Sequence, residues 1–490
     1  MSLAHHAKSA VLWNASFNLL REVLLRVGSI VIFRRLLDPA DYGVFDFVNS
    51  VVGFLGLFAF NNFVAHTVQV REEKEVHWQA HFTAGGFFQL AMCGVVNLVA
   101  FALRWWPQFA EFAPYLHAMS LLFLFDWPCE FRRKMLERAF DWPRLRVLHA
   151  LALVVAFLVQ LNLALAGGHA YALLLPVFVM SLPFAYDLFV RVRWRPDWSW
   201  SWKDYQPAWR FGWTRVASGV AFSGRRLVER GVIVAVLGKS QLGILGGALG
   251  LAQVICQGFA EQLLTAIYPV LTRVSAEPQN LARVNALVLR IVVWVTVPLA
   301  VVASALAGPL LLAAYGVKWA ETIPLLPPAM LAGVAIAVGQ AANNLLLAQN
   351  KLRECLIADG LVLAGTILTL WLLLPLGLKN YLFGVAASQF VVLVLMLVWL
   401  VRGNLLKWNG VAAAFWPSLL AAALAYLGCE GLVKISGADA ARFGVAGVYG
   451  MVFALSYLMV LRVGFRKQLV ELLAYVPQSK VIRRVLWLGE

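Results

Sequence analysis

Seven charged residues lie more than a turn inside two of the apolar stretches of this sequence. Arg21, Glu22 and Arg26 lie within 10–33, and Arg225, Arg226, Glu229 and Arg230 lie within 211–237. An ionised Arg at the centre of a bilayer costs about 2.5–3.5 kcal/mol on insertion scales, so such groups face a partner or a wet cavity. Glu22 and Arg26 are four residues apart, as are Arg225 and Glu229, so each pair shares a helical face. That pairing leaves Arg21, Arg226 and Arg230 in surplus. The surplus is all guanidinium, a planar fork that matches phosphate or carboxylate and stays charged when desolvated. Capture of an anionic head group is the chemistry expected. Self-neutralised helix contacts are the competing structural reading.

Other polar groups are weaker candidates. Asn61–Asn62 and Glu261–Gln262 form two polar pairs near the inner ends of apolar stretches, and Gln340, Asn343 and Asn344 make one side of another stretch polar. Helix–helix hydrogen bonding explains them as well as ligand contact does. Arg215, Arg290 and Arg462 sit about a turn from a span end and can snorkel to the interface. Glu22, Glu229, Glu261 and Asp359 are the acids that could couple Na+ or H+ movement. Asp126, Glu130, Asp187 and Asp359 lie near inner span ends, where pairing with loop arginines is expected. Asp38 and Asp41 could imitate a catalytic carboxylate pair, but DPADYG reads more simply as a turn with Pro39 and Gly43. The cysteines Cys93, Cys129, Cys256, Cys355 and Cys429 have no metal-ligand spacing and read as small buried hydrophobes. No cofactor or metal is expected.

The elements that carry these residues follow from composition. The chain has 490 residues, 61% apolar and 13% charged, with mean hydropathy +0.76. A soluble enzyme of this length needs more charged surface. Apolar runs recur to the end of the sequence, so the expected class is all-α and polytopic, with about 14 transmembrane helices between residues 10 and 463. The first run continues past Val31 with charges inside it, so it is expected to be retained as a span rather than cleaved. The net charge of +16 is an orientation signal here, not a nucleic-acid one. With the N-terminus inside, the inner loops and tail hold about 25 Lys and Arg and the outer loops about 8. Both termini are therefore expected to be cytoplasmic, with Arg34 and Arg35 as the dissenting outer loop. The strongest inner loops are 131–146 and 191–210. Trp105, Trp106, Trp198, Trp200 and Trp202 are expected to belt the interfaces, and the tail 465–490 to lie along the inner surface near anionic lipid.

A weak repeat runs at an offset of 200. Trp13 aligns with Trp213, Arg26 with Arg226, Leu37 with Leu237, Gly43 with Gly243, and Asn61–Asn62 with Glu261–Gln262. Both copies start on the same side, so the repeat is parallel, about an axis along the membrane normal. The expected organisation is an N-lobe of six spans (1–205), a C-lobe of six (206–405), two further spans (406–464) and a cytoplasmic amphipathic tail (465–490). Two lobes around one cavity is a transporter layout.

Several stretches carry a family resemblance. RRLLDPADYGVFDFV (34–48) resembles the opening of polysaccharide-biosynthesis flippases, the Wzx-type members of the multidrug/oligosaccharidyl-lipid/polysaccharide (MOP) exporter superfamily. WRFGWTRVASGVAFSGRRLVERGVIVAVLGKSQLGILGGALGLAQ (209–253), AIYPVLTRVSAEPQNLARVNALVLRIV (266–292) and AAYGVKWAETIPLLPPAM (313–330) are also similar. The resemblance covers about residues 8–400. It implies a V-shaped pair of six-helix bundles that exports an undecaprenyl-pyrophosphate-linked oligosaccharide across the bacterial inner membrane by alternating access. It implies that Arg21, Arg26, Arg225 and Arg226 line the cavity and bind substrate, with Arg230 farther out. The implied partners are that lipid-linked oligosaccharide, membrane lipids and polysaccharide polymerase or export machinery. A lipid II flippase of the same superfamily is the nearest alternative. A membrane glycosyltransferase or polymerase is disfavoured by the short outer loops, and a multidrug exporter by the Arg excess.

Overall fold

Asp38 starts the first long helix. Its side chain and that of Asp41 cap the helix reciprocally, the Asp38 N–H donating to Asp41 Oδ2 at 3.1 Å. Pro39 takes the first helical position, where a missing N–H costs nothing. DPADYG is therefore a helix start and not the turn expected above. The computed structural model describes residues 32–70, 76–258, 260, 278–436 and 443–473, and positions 13, 17, 20, 21, 24 and 28 of the first segment. Glu22, Arg26, Glu261 and Gln262 lie outside the described residues.

The helices used below are α1 (Pro39–Leu55), α2 (Phe60–Val64), α3 (Trp78–Leu103), α4 (Leu122–Arg138), α5 (Trp142–Leu165), α6 (Pro176–Tyr186), α7 (Trp202–Leu237) and α8 (Lys239–Ala252). They continue as α9 (Pro278–Ala305), α10 (Leu326–Ala348), α11 (Leu378–Arg402), α12 (Trp408–Ser436), α13 (Phe443–Gly464) and α14 (Arg466–Leu473). No strand occurs among the described residues. Among those residues, 11 helical segments are long and apolar enough to cross a membrane. The other expected spans are 10–33, largely outside the described residues; 114–130, built from Ala113–Ser120 and α4; and 211–237, inside α7. The chain is a multi-pass, all-α membrane protein.

Three boundaries differ from expectation. The span expected at 43–66 breaks after α1, where Ala59 is extended. The break is tolerated because Asn62 Nδ2 donates to the Leu57 carbonyl at 2.8 Å, satisfying a backbone group that the lost turn would strand. The inner loop expected at 131–146 is mostly helix. There α4 runs on to Arg138, and Asp141 already caps α5 by accepting from the Arg144 N–H at 3.2 Å. Finally, α7 begins at Trp202 and has 36 residues. At 1.5 Å per residue it is about 54 Å long, well beyond a hydrocarbon core of about 30 Å. Its polar start therefore projects past the lipid, and Gly238, at φ +85°, ends it.

The repeat is visible in the helix starts. α1 and α8 begin at 39 and 239, and two short helices at 107 and 307. Gly43 and Gly243, one aligned pair, pack against each other. A Cβ on Gly43 would lie 1.8 Å from the Lys239 carbonyl oxygen, and one on Gly243 1.7 Å from the Pro39 carbonyl oxygen. The contact is reciprocal, and small residues permit such close backbone approach. Gly43→Ala should destabilise the protein by at least the about 1–3 kcal/mol typical of overpacking. Thermal unfolding in detergent checks this, and a midpoint equal to wild type would show that the backbones can separate freely.

Contacts divide the chain into two compact units, Met1–Gly243 and Ile244–Glu490. In the first, Phe60, Val64, Phe82, Phe131 and Leu188 form a buried cluster, and Trp127 Nε1 donates to the Phe82 carbonyl at 3.0 Å. Helix α7, whose sequence opens the second copy of the repeat, packs on α1 and α2 of this unit. Asp187 is almost fully buried after α6. It accepts from Arg132 Nε at 2.7 Å and from Arg144 Nη2 at 2.7 Å, joining α4 and α5. Glu130 likewise pairs with Arg133. These are the acid–arginine pairings expected for that end of the fold.

In the second unit α10 packs against α9 and α11, and its buried Ala332, Gly333, Ala337 and Ala341 allow close approach. Tyr457 donates to the Trp294 carbonyl at 3.0 Å, tying α13 to α9. The tail helix α14 is ion-paired to α9. Glu471 accepts from Arg290 at 2.8 Å and from Arg283 at 3.2 Å. The hydrogen bond from Arg290 holds the Glu471 carboxyl below its ordinary range. All five cysteines are buried.

Candidate functional site

Arg225, Arg226, Glu229 and Arg230 occupy one and a half turns of α7, the helix that packs on α1. Glu229 is buried and meets Arg230, its neighbour in sequence, at 3.6 Å. The i,i+4 partner expected for it, Arg225, instead lies with its guanidinium 5.7 Å from the Phe222 ring. Arg226 is exposed and Arg225 partly so. Neither makes an ion pair with any described residue.

Across from α7, α1 contributes Asp46, an acid the sequence reading passed over. The charges acting on it are those of Arg230, Arg34, Arg226 and Glu229. Arg34 is also drawn in. It is buried, with its guanidinium stacked 4.3 Å over the Tyr42 ring, in the short connection before α1. Burial beside an aromatic face and a carboxylate makes this position tolerable for Arg. Three guanidinium groups thus lie within electrostatic reach of two carboxylates, and Arg225 adds a fourth cation nearby. Such a cluster keeps positive charge while anchoring part of it. Arg230 and Arg34 are engaged, whereas Arg225 and Arg226 can offer donors to an anion.

The other expected site residues divide among several places. Arg21 is exposed and is among the charges acting on Arg146, but not among those acting on Arg226. Asn61 Nδ2 donates to Asp126 Oδ2 at 2.9 Å, joining α2 to α4. Asn62 Oδ1 accepts from Arg215 Nε at 3.3 Å, joining α2 to α7. Both asparagines therefore serve helix packing. Arg290 is buried and engaged by Glu471, as described above. In α10, Asn344 Nδ2 donates to the Gln340 carbonyl at 3.0 Å, while Gln340 Oε1 and Asn343 Oδ1 are buried without a hydrogen bond.

Asp46 was findable. It is a lone acid inside an apolar stretch, the same signal that singled out the arginines. Arg34 was not, because nothing local indicates that the chain at 34 folds back onto Tyr42.

Residues 32–324, which contain this whole cluster, match the family described as polysaccharide biosynthesis protein. The chain belongs to that family. In sequence, no curated protein matches it. Among solved structures, this family member is similar to a lipid II flippase MurJ in an inward closed conformation, with a TM-score of 0.73 and 13% identity, covering 94% of this chain and 100% of that one. It is also similar to an inward-facing multidrug resistance MATE family transporter of the MOP superfamily, with a TM-score of 0.59 and 16% identity, covering 78% of this chain and 94% of that one. At these identities the likeness establishes the fold, which is that of MOP transporters. The cationic cluster of α1 and α7 thus sits within the matched region, on a fold similar to that of MOP transporters.

Proposed function

We propose that this protein is a flippase, making and breaking no covalent bond. It moves an undecaprenyl-pyrophosphate-linked oligosaccharide from the inner to the outer leaflet of the bacterial inner membrane by alternating access, for cell-surface polysaccharide. The observation that carries this reading is the pair Arg225–Arg226, available donors inside a membrane helix of a polysaccharide-biosynthesis family member. A pyrophosphate offers acceptors on several sides, and two guanidinium groups one residue apart can each engage it through paired N–H bonds. The prenyl chain stays in lipid while the head group crosses. Arg26, aligned with Arg226 in the repeat, is the expected counterpart.

The experiment is analysis of lipid-linked sugars in a deletion strain. Accumulation of a completed, lipid-linked repeat unit supports the reading. Accumulation of the peptidoglycan precursor would assign a lipid II flippase instead, and an unchanged lipid pool would overturn both.

Orientation follows from the charge asymmetry, with both termini in the cytoplasm. A reporter fused at Gly437 should read as external and one after Lys467 as cytoplasmic. The opposite reading at either position would invert the layout.

A further inference from the structure

A recess lies in the first unit, away from the arginine cluster, where the extended segment before α7 crosses the start of α3. It has a volume of about 270 Å³, and Trp78, Trp200, His77, Ser199 and Asp204 line it together with Gln79. We infer that this recess binds one glycosyl ring of the lipid-linked head group, an inference that rests on the flippase reading.

Three features carry the inference. First, the volume is just below the about 300–1,000 Å³ of pockets for drug-sized ligands, which suits a single sugar ring. Second, the wall is built, not adventitious. Gln79 Nε2 donates to the Arg195 carbonyl at 3.0 Å, Gln79 Oε1 accepts from the Asp197 N–H at 3.2 Å, and Asp197 in turn accepts from the Ser199 N–H at 2.8 Å. These bonds hold the segment carrying Ser199 and Trp200 in place, so Gln79 is a positioning residue. Third, the lining has the mixed chemistry of a sugar. A pyranose presents an apolar face of C–H bonds and an edge of hydroxyl groups. Trp200 offers its indole to the face, being 48% exposed although it packs beside Trp202 and Tyr205, while Trp78 is anchored edge-on against Phe131 of the core and forms the floor. His77 Nε2 and Asp204 Oδ1 stand 3.7 Å apart, too far for a direct hydrogen bond. A hydroxyl placed between them could donate to the carboxylate and accept from the ring nitrogen.

By the charge asymmetry this end of α3 and α7 faces the cytoplasm, where a lipid-linked sugar awaits transfer. The recess would receive the head group before it reaches Arg225 and Arg226.

The test is saturation-transfer NMR on the purified full chain in detergent, with free galactose, N-acetylglucosamine and glucuronate as probes. At least one sugar should receive transfer to its ring protons. W200A and D204N should each weaken that binding about tenfold, the scale of one lost stacking face or charged hydrogen bond. W200F should retain most of it, and W106A, at an exposed tryptophan outside the recess, should leave it unchanged. Displacement of the sugar by an undecaprenyl-pyrophosphate-linked sugar, but not by the unglycosylated lipid, would tie the recess to the transported head group. No transfer from the wild-type protein, transfer that survives both W200A and D204N, or equal displacement by the unglycosylated lipid would overturn the inference. Sugar binding with an unchanged lipid pool in the deletion strain would overturn the flippase reading alone.

Discussion

Replacing Arg225 and Arg226 together by Ala should abolish export while leaving the protein folded and inserted. Neither side chain makes an ion pair among the described residues, and Arg230 and Arg34 stay behind to balance Asp46 and Glu229, so the loss of two intramembrane charges lowers the cost of insertion. Each charge-assisted hydrogen bond is worth about 1.5–3 kcal/mol, so each single substitution should reduce export by about ten- to a hundredfold. Lys at either position should rescue only in part, since it keeps the charge and loses the fork. Arg230→Ala is the informative contrast. It removes the partner of buried Glu229, so it should lower the thermal midpoint and the yield, and Glu229→Gln in the same chain should restore both. Export by deletion-strain complementation, read beside thermal unfolding, separates the cases. Wild-type export in the double Arg225→Ala, Arg226→Ala variant would refute the binding role.

Asp187→Ala should be the most destabilising single change in the first unit. One carboxylate accepts from Arg132 and Arg144, on two different helices. Arg132 is itself almost fully buried. Breaking a buried ion pair by removing one partner costs about 3–5 kcal/mol, because the stranded charge keeps its desolvation penalty. Two arginines are left behind here, and both α4 and α5 lose their tie to the end of α6. Asp187→Asn keeps acceptor oxygen and shape and should cost less. Arg132→Leu added to Asp187→Ala should recover part of the loss, since an apolar side chain of similar volume removes the stranded charge. Thermal unfolding of the purified variants reads the order. An unchanged midpoint for Asp187→Ala would mean that the cluster is solvated in solution.

Much of the site was legible in the residues, and its limits are instructive. The intramembrane arginines of α7 were found because charge in an apolar run is costly and therefore conspicuous. Their partners were not. Helical spacing put Glu229 with Arg225, one turn away, whereas side-chain direction sets it against Arg230. Asp46 and Arg34 joined the cluster only through the packing of α7 on α1. Likewise Arg290, which spacing placed near a span end, is held by Glu471 from the tail helix, 181 residues later.

The sequence by itself determined the class, the membrane and the repeat. Hydropathy selects helices because lipid offers backbone groups no partner, so each span must satisfy its own. An offset of 200 residues was readable because helix starts and the Gly43–Gly243 pair are local features, repeated in register. Only the tertiary structure decided which charges meet. An ion pair between helices depends on crossing and rotation, which come from the sum of many weak packing contacts and leave no mark at any one residue. It also decided where spans break and run on. The extension of α4 to Arg138 is held by distant partners, Asp187 for Arg132 and the Thr67 and Val70 carbonyls for Arg138. Hydropathy reads the free energy of single residues in lipid, and those partners lie outside that sum.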